Sequence, residues 1–326
     1  MTTRNSTKPR RGLVLGCGGT VGGAWQIGAL AVVEKHLAWD ARTAEIIVGT
    51  SAGATAAAML GAEVSVTEMV AAQRGEAAAR ESVRRFFTQP PAALPAIPFG
   101  RLSPRLSLAG IRYRATLPAL AGMIPNGRTD PSFLDSLIDD LVPDGNWVAH
   151  PNTWIVATEL SSGHRTVFGR SGTAPTPLRD AVRASWAVPG WYPAVQIGGE
   201  RYLDGGVLST ASADLLAGMG LDEVVVVAPM ASDDGSRVGG LGGIAEAMLR
   251  RPMSRRLDTE VAAVEASGAR VVRIHPSSTE LTSMGPNFMN PRRRIAALES
   301  AATHLPGRLP VDRAPSDRRV TEEAPQ

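Results

Sequence analysis

The sequence predicts an α/β fold in which a mainly parallel central sheet is covered by helices on both faces. Short runs that are apolar throughout, at residues 12 to 16, 45 to 48 and 224 to 227, predict strands buried on both faces. Segments with helical periodicity separate these runs, as the connections between parallel strands require. The chain has 326 residues, 44% of them hydrophobic, and a single large domain is therefore expected.

Strands and helices alternate along most of the chain. The first unit is a strand at 12 to 16, a glycine loop, a helix at about 23 to 37, a strand at 45 to 48 and a helix from Ala52. Thr176 and Pro177 predict the cap and first residue of a helix that runs to about Ala184. The other predicted elements are helices at 131 to 141, 253 to 267 and 290 to 303, and strands at 154 to 157, 165 to 168, 194 to 197, 201 to 203 and 271 to 274. The glycines between 235 and 243 predict a flexible surface loop.

Three segments fall outside this alternation. Residues 1 to 10 are predicted to be a flexible N-terminus, and residues 305 to 326 a disordered tail with little apolar content. The domain between them spans residues 11 to 304. Within it, residues 88 to 131 form an insertion with many prolines, which disfavour regular core structure. This insertion is either a packed surface loop or a lid over an active site, and the sequence leaves both open.

The N-terminal region resembles a signal peptide or membrane anchor at first sight. Residues 12 to 33 carry no formal charge and follow Lys8, Arg10 and Arg11. Seven of those residues are glycine, and they divide the stretch into a short apolar run, a loop and a segment with helical periodicity. We therefore expect a strand, a loop and a helix, not a transmembrane span.

Composition excludes several classes of partner. The 34 basic residues nearly balance the 31 acidic ones and are scattered, which argues against nucleic acid as a partner. Cys17, the single cysteine, cannot form an intrachain disulfide, which fits the cytoplasm. The five histidines are widely separated, so we expect no metal site and no cofactor. No pattern predicts an oligomeric state.

The segment Gly49-Thr50-Ser51-Ala52-Gly53 predicts a nucleophile elbow. It lies between an apolar strand and a helix of small residues, which is the context that such a strained turn requires. Gly49 and Gly53 stand where a side chain would collide with the neighbouring strand or helix. Ser51 is therefore a candidate nucleophile at the positive end of a helix dipole.

A glycine loop, residues 18 to 23, predicts backbone donors for the oxyanion of an acyl-transfer reaction. The N–H groups of Gly18, Gly19 and Thr20 lie between a strand and a helix N-terminus, where they can meet a negative charge. A dinucleotide-binding turn is the competing interpretation. Its third glycine would fall at position 21, which is Val21, and such a site would leave Ser51 without a role.

The base that activates Ser51 is not defined by local sequence alone. His275 and His304 lie late in the chain, where the histidine of a Ser-His-Asp triad often occurs, but one precedes a polar loop and the other the tail. Asp204 follows a predicted strand and precedes Gly205 and Gly206, which permit a close turn. An isolated Asp-Gly-Gly is usually only a turn, so Asp204 is the stronger candidate because of the motifs around it.

Four motifs together resemble the patatin-like phospholipase family. They are the glycine loop, the elbow, the segment 184 to 193 and Asp204-Gly205-Gly206, in the family's order over about residues 11 to 230. The resemblance implies a three-layer α/β/α fold and a Ser-Asp catalytic dyad without histidine. Position by position, it makes Ser51 the nucleophile and Asp204 its base, and it puts Gly18, Gly19 and Thr20 in the oxyanion loop.

Two residues of the glycine loop depart from the family's pattern. Gly22 stands where most members have Arg or Lys, and Thr20 where glycine is usual. Backbone N–H groups survive both changes, so an oxyanion hole can still form. A fixed positive charge in the loop is not available.

The resemblance implies a serine lipid acyl hydrolase whose catalytic domain spans residues 11 to 304. It would cleave carboxylic ester bonds of phospholipids or related acyl lipids through an acyl-enzyme. Such a substrate implies transient contact with a membrane surface, hence a cytoplasmic protein that is peripheral at the membrane. Two alternatives stay open: an acyltransferase that uses the same acyl-enzyme, and a non-catalytic lipid-binding protein of the same fold.

Overall fold

The computed structural model describes residues 8 to 91, 94, 107 to 108, 123 to 124, 127 to 232 and 240 to 309. The strands are β1 (Arg11–Leu15), β2 (Ile46–Thr50), β3 (Thr153–Glu159), β4 (Arg165–Phe168), β5 (Val195–Ile197), β6 (Glu200–Asp204), β7 (Glu223–Val227) and β8 (Arg270–Ile274). The helices are α1 (Gly19–Leu37), α2 (Ala52–Gly61), α3 (Val66–Arg74), α4 (Glu81–Thr88), α5 (Phe133–Leu141), α6 (Leu178–Ser185), α7 (Gly240–Ala266), α8 (Ser278–Met284) and α9 (Arg294–His304).

The described strands form one eight-stranded sheet in the order β5, β6, β3, β2, β1, β7, β8, with β4 paired to β3 outside this order. The five strands from β3 to β8 in that order are parallel. The pairs of β4 and β6 with β3, and of β5 with β6, are antiparallel. Every residue of β2 and β7 is buried, as the unbroken apolar runs indicated. The predicted mainly parallel α/β sheet is confirmed.

Helices cover both faces of the sheet and give it three layers. Successive side chains of a strand point to opposite faces. Leu13 and Leu15 of β1 accordingly belong to a core shared with helices α1 to α6, α8 and α9. Val14 belongs to a second core on the other face, with Leu257 and Val261 of α7. The three-layer α/β/α arrangement is therefore confirmed.

One edge of β3 is shared end to end by two strands. On this edge Val156 pairs with Thr50, the last residue of β2, and the next residue, Ala157, pairs with Asp204, the last residue of β6. The opposite edge of both residues is occupied by β4. β2 and β6 therefore approach the same point of β3 from opposite directions. Ser51, which follows Thr50, is thereby brought next to Asp204.

Two helices begin earlier than predicted because glycine hides their starts. α1 begins at Gly19, with Gly18 as its N-cap, so most of the predicted glycine loop is its first turn. α7 begins at Gly240, although a flexible loop was predicted to Gly243 and a helix only from 253. Glycine is a poor helix former, and tertiary packing overrides that preference here.

The predicted cap of α6 is wrong by one residue. Pro177 is the N-cap, and the Thr176 hydroxyl donates to the Ala174 carbonyl at 3.2 Å instead of capping the helix. Because Pro177 has an extended ψ of 139°, the helical geometry starts only at Leu178.

The inner residues of the predicted flexible N-terminus and of the predicted disordered tail make defined contacts with the domain. The Arg10 N–H donates to the Asp222 carboxylate at 2.7 Å, which extends the ordered chain to the start of β1. At the other end Leu305 and Leu309 are buried in the larger core, so the tail does not start at 305. The remaining parts of these predictions, residues 1 to 7 and 310 to 326, lie outside the described residues.

Most of the predicted insertion or lid at 88 to 131 also lies outside the described residues. Its last part is attached to the core, since the N–H groups of Gly127 and Thr129 donate to the carbonyls of Tyr192 and Trp191 at 3.2 and 2.9 Å. In the described parts of the chain, no helix has the length and apolar character needed to span a bilayer.

Candidate active site

Ser51 lies on a strained turn between β2 and α2. Its φ of 57° and ψ of −121° fall in a region that residues with a side chain rarely adopt. The turn needs glycine on both sides. A Cβ at Gly53 would lie 2.0 Å from the Leu15 carbonyl oxygen, and one at Gly49 would lie 2.4 Å from the Gly53 carbonyl oxygen. The backbone therefore fits only this pattern of small residues around the serine.

Ser185, at the end of α6, supports the elbow. Its hydroxyl accepts the Ser51 N–H at 2.8 Å and donates to the Val156 carbonyl at 2.6 Å. The strained residue is thereby tied to β3 through a fully buried side chain. Sequence reasoning missed this role. The available signal was a small polar residue in the segment 184 to 193, which resembled a family motif.

Asp204 is held against Ser51 in an almost fully buried position. The Gly206 N–H donates to its Oδ1 at 2.7 Å, and the Ser51 hydroxyl is near enough to lower the pKa of the carboxyl. Ser51 is only 2% exposed and Asp204 only 4%. Burial raises the pKa of Asp204 from 3.8 to about 7, while the hydrogen bonds from Ser51 and Gly206 act in the opposite direction.

The Asp204-Gly205-Gly206 motif makes a turn too close for side chains. A Cβ at Gly205 would lie 2.7 Å from the Val156 carbonyl oxygen, and one at Gly206 would lie 3.0 Å from the Cys17 sulfur. Cys17 is buried, and this burial and the charge of Asp204 raise the pKa of its thiol. A neutral, buried thiol is a packing residue and not a nucleophile.

The predicted oxyanion residues lie at the N-terminus of α1. Gly19 has a φ of 59°, and its Cβ would lie 2.6 Å from the Phe288 ring. The first N–H groups of a helix have no acceptor within the helix. In α1 these include the N–H groups of Gly19 and Thr20. The Val21 N–H instead donates to the Phe288 carbonyl at 2.9 Å. Gly18 and Gly19 line the same cavity as Ser51.

Thr20, unlike Gly18 and Gly19, does not line the cavity of Ser51. It lines a small neighbouring cavity of about 30 Å³, together with Gly19 and Trp186, and its buried hydroxyl has no hydrogen-bond partner among the described residues. Trp186 packs edge to face on Phe133, at 5.6 Å between ring centroids. Trp186 is not among the residues that line the cavity of Asp204. The apolar residues that line the cavity of Asp204 are instead Val188 and Val207, with others given below.

Gly22, where the family pattern has a charged residue, faces a proline. A Cβ at this position would lie 2.9 Å from Cβ of Pro229, so a long side chain has no room in this direction. Arg250 lies behind that proline, where it donates to the Pro229 carbonyl at 2.7 Å and is only 1% exposed. A buried cation thus lies close to the glycine loop, although the loop itself carries none.

Ser51 and Asp204 lie at the wall of an apolar cavity of about 320 Å³, a size typical of small-molecule sites. Its apolar lining comes from the segment after α6, the residues after β6 and β7, α7 and the stretch before α9. These residues are Ile124, Val188, Pro189, Trp191, Val207, Met230, Met253 and Phe288. Methionine and aromatic side chains adapt readily to an apolar guest.

The two histidine alternatives lie away from Ser51. His275 is buried after β8, beside the Pro276 carbonyl, and His304 is bonded within α9 to Ser300. Neither lines the cavity of Ser51 as far as the described residues define it. Within the same residues, no group of three or more His, Cys, Asp or Glu side chains is placed to hold a metal ion.

The fold has three layers, and a serine on a strained turn shares a cavity with a buried carboxylate. The family model for patatin-like phospholipase matches residues 13 to 217, and the chain belongs to this family of lipid acyl hydrolases. The resemblance inferred from the four motifs is thereby confirmed. Among solved structures, the chain is similar to VipD from Legionella pneumophila, with 16% sequence identity, a TM-score of 0.39, and coverage of 91% of this chain and 68% of that one.

Proposed function

We propose that the protein hydrolyses carboxylic ester bonds of phospholipids or related acyl lipids through a Ser51–Asp204 dyad. The observation that supports this proposal is that Ser51, on its strained turn, lines the same cavity as Asp204, a buried carboxylate whose pKa is raised to about 7. An ordinary carboxylate is too weak a base at neutral pH. One with a pKa near 7 is matched to the task of a general base.

In this mechanism Asp204 accepts the Ser51 proton as Ser51 attacks the ester carbonyl. The alcohol part leaves with a proton returned from Asp204, and an acyl-enzyme remains on Ser51. Asp204 then takes a proton from water as the water attacks the acyl-enzyme, and it returns that proton to the Ser51 oxygen as the C–O bond to Ser51 breaks and the fatty acid is released. No histidine is required in any of these steps.

The oxyanion of each tetrahedral intermediate would be stabilised by backbone N–H groups at the start of α1. Gly18 and Gly19 are the favoured donors because they line the Ser51 cavity, whereas Thr20 lines the neighbouring one. The helix adds the positive end of its dipole, and α1 is 19 residues long. The second helix N-terminus, that of α2, begins directly after Ser51.

The apolar lining supports an acyl chain as the part of the substrate held in the cavity. Trp191 and Phe288 contact each other at 5.5 Å between ring centroids and form one wall with Met253. Burying an alkyl chain against such a surface stabilises the complex by about 0.8 kcal/mol per methylene. The lipid acyl ester is therefore the proposed substrate class.

Transient membrane contact is proposed from exposed apolar side chains in the insertion. Leu94, Leu108 and Met123 are each at least 66% exposed, and Ile124, which also lines the cavity, is 43% exposed. Ile124 at the cavity and Met123 next to it in the chain would let the enzyme draw its substrate from a bilayer surface. Sedimentation with phosphatidylcholine vesicles, compared between wild type and Met123→Asp, tests this contact.

The dyad is tested by ester hydrolysis in Ser51→Ala and Asp204→Asn, with Asp40→Asn as the matched control. Asp40 is a hydrogen-bonded carboxylate that precedes β2, at the opposite end of that strand from Ser51. Both dyad variants should lose roughly 10³-fold or more in kcat, and the control should retain wild-type turnover. Near-normal turnover in either dyad variant would overturn the assignment.

Three further measurements test the dyad and separate the alternatives. Wild-type kcat/KM should fall on the acid side with an apparent pKa of about 7, as Asp204 becomes protonated. Covalent labelling of Ser51 by a fluorophosphonate should occur in the folded protein, whereas a non-catalytic lipid-binding protein would not be labelled. Product analysis with a labelled acyl donor and an added alcohol distinguishes hydrolysis from acyl transfer.

A further inference from the structure

A buried carboxylate on α7, Glu260, is connected to the segment that follows the base. This segment, residues 205 to 213, is called the base segment here. Glu260 is 1% exposed and accepts hydrogen bonds from the Ser209 hydroxyl, from the Ala213 N–H at 3.1 Å and from Arg256 Nε at 2.9 Å. The Ser209 N–H in turn donates to the Gly205 carbonyl at 3.0 Å, one residue after Asp204. Two hydrogen bonds, both made by Ser209, therefore connect Glu260 to the residue that follows Asp204.

Ser209 connects Glu260 to a part of the base segment whose backbone is strained. Its Oγ accepts the N–H groups of Ala211 and Ser212, at 3.3 and 2.8 Å, while its own proton goes to Glu260. Ser212 has a φ of 62°, in the left-handed region that favours glycine. Such a conformation persists only where the surroundings over-determine it. Here the hydrogen bonds of Glu260 and Ser209 hold Ser212 in this conformation.

The base segment also fixes the chain that leads into the glycine loop. The Cys17 N–H donates to the Thr210 carbonyl at 2.9 Å, and the Thr210 hydroxyl donates to the Met253 carbonyl of α7 at 2.8 Å. Cys17 directly precedes Gly18. A single brace, anchored on α7 at Met253 and Glu260, therefore contacts both the base side and the oxyanion side of the site.

We propose that Glu260 is a positioning residue that sets Asp204 relative to the N–H groups of Gly18 and Gly19, acting through Ser209 and Thr210. The proposal rests on the proposed function, because it assigns those groups their roles. Glu260 lies on α7, which covers the face of the sheet opposite α2, the helix that follows Ser51. A change there alters the geometry of the reaction without touching the substrate.

Glu260→Gln is a sharp perturbation because the described partners of the carboxylate are all donors. The amide NH₂ of glutamine must point at one of them, whichever way it is turned, and one contact becomes repulsive. The base segment then shifts. Displacements of about 1 Å in an active site reduce rates by about 10²-fold, so we expect kcat to fall roughly 10- to 100-fold with little change in KM.

The matched control is Glu223→Gln. Glu223 is also a buried carboxylate, 3% exposed, with Arg11 Nε at 2.6 Å and Arg270 as its partners. It lies at the first residue of β7, the opposite end of the strand from the site. It should lower the melting temperature by a similar amount and leave kcat unchanged. Ser209→Ala removes one link of the brace and serves as the milder variant if Glu260→Gln does not fold.

The experiment measures kcat and KM on a short-chain p-nitrophenyl ester together with hydrogen–deuterium exchange. Glu260→Gln or Ser209→Ala should lower kcat and speed exchange in both residues 16 to 20 and 204 to 213, whereas Glu223→Gln should do neither. Unchanged kcat in Ser209→Ala, or equal effects of Glu223→Gln and Glu260→Gln on kcat, would overturn the proposal. If wild type itself neither hydrolyses esters nor is labelled at Ser51, the proposed function fails, and the exchange data still decide whether the brace exists.

Discussion

Replacing Asp204 by asparagine should stabilise the protein while it removes activity, and the gain should grow with pH. Asparagine keeps both contacts, since its oxygen accepts the Gly206 N–H and its NH₂ donates to the Ser51 hydroxyl. It removes only the buried charge. Active-site groups commonly lower stability in this way, because their environment is arranged for reaction.

The magnitude follows from the pKa of Asp204, which rises from 3.8 to about 7 on folding. A carboxyl whose pKa is raised in the folded state stabilises the fold below its unfolded pKa, and this stability is lost as pH rises through the folded pKa. One pKa unit corresponds to about 1.4 kcal/mol. The ionisation of Asp204 therefore lowers the free energy of unfolding by about 4 kcal/mol at pH 8 and about 2 kcal/mol at pH 5.

The assay is thermal unfolding of wild type and Asp204→Asn between pH 5 and pH 8. The variant should melt higher by on the order of 10 °C at pH 8, and by about half of that at pH 5. Asp214→Asn is the control of opposite sign. Burial raises the pKa of Asp214, but the hydrogen bonds and charge of Arg165 outweigh this and lower it, so its loss should destabilise at both pH values. A stability difference for Asp204→Asn that does not change with pH would refute the reasoning.

Three further predictions concern the elbow and its surroundings. Gly53→Ala should prevent folding or lower stability by about 3 kcal/mol or more, because its Cβ would overlap the Leu15 carbonyl. The control is Gly307→Ala, whose Cβ would meet nothing within 4 Å and which should leave the melting temperature unchanged. Ser185→Ala leaves the Ser51 N–H without an acceptor, so kcat should drop about tenfold and stability by about 1 to 3 kcal/mol; equal kcat would remove Ser185 from the elbow's support. Tyr192→Phe should be neutral or stabilising by up to about 1 kcal/mol in thermal unfolding, because the buried hydroxyl lacks a partner among the described residues; a clear loss would show an unrecognised bond.

The sequence predicts the sheet better than the helix ends. Strands such as β2 and β7 contain apolar runs, Ile46 to Val48 and Val224 to Val227, because both faces are buried, and these runs are visible in the sequence. The starts of α1 and α7 are hidden by glycines, whose low helix propensity is outweighed by contacts that the sequence does not display. The packing of Leu305 and Leu309 was missed for the same reason, since isolated leucines in a polar stretch carry no periodicity.

In the site, residues that need a special backbone could be predicted, and residues that act through distant contacts could not. Ser51 is marked by its flanking glycines, which the close approach of Leu15 to Gly53 requires. Asp204 depended on the resemblance, because the register of β6 on β3 that brings it to Ser51 leaves no local trace. Ser185 and Glu260 are single polar residues in ordinary helices. Only the three-dimensional arrangement identifies their partners.

β2 and β6 meet end to end on one edge of β3. The elements that position Ser51 and Asp204 are therefore different from most of those that line the cavity. The spacing between Thr50, which precedes Ser51, and Asp204 is set by the backbone repeat of β3, about 3.3 Å per residue. The residues that line the cavity come from other elements, including α7 and the stretch before α9. Substitutions at Met253 or Phe288 can therefore reshape the cavity, while the positions of Ser51 and Asp204 along β3 stay the same.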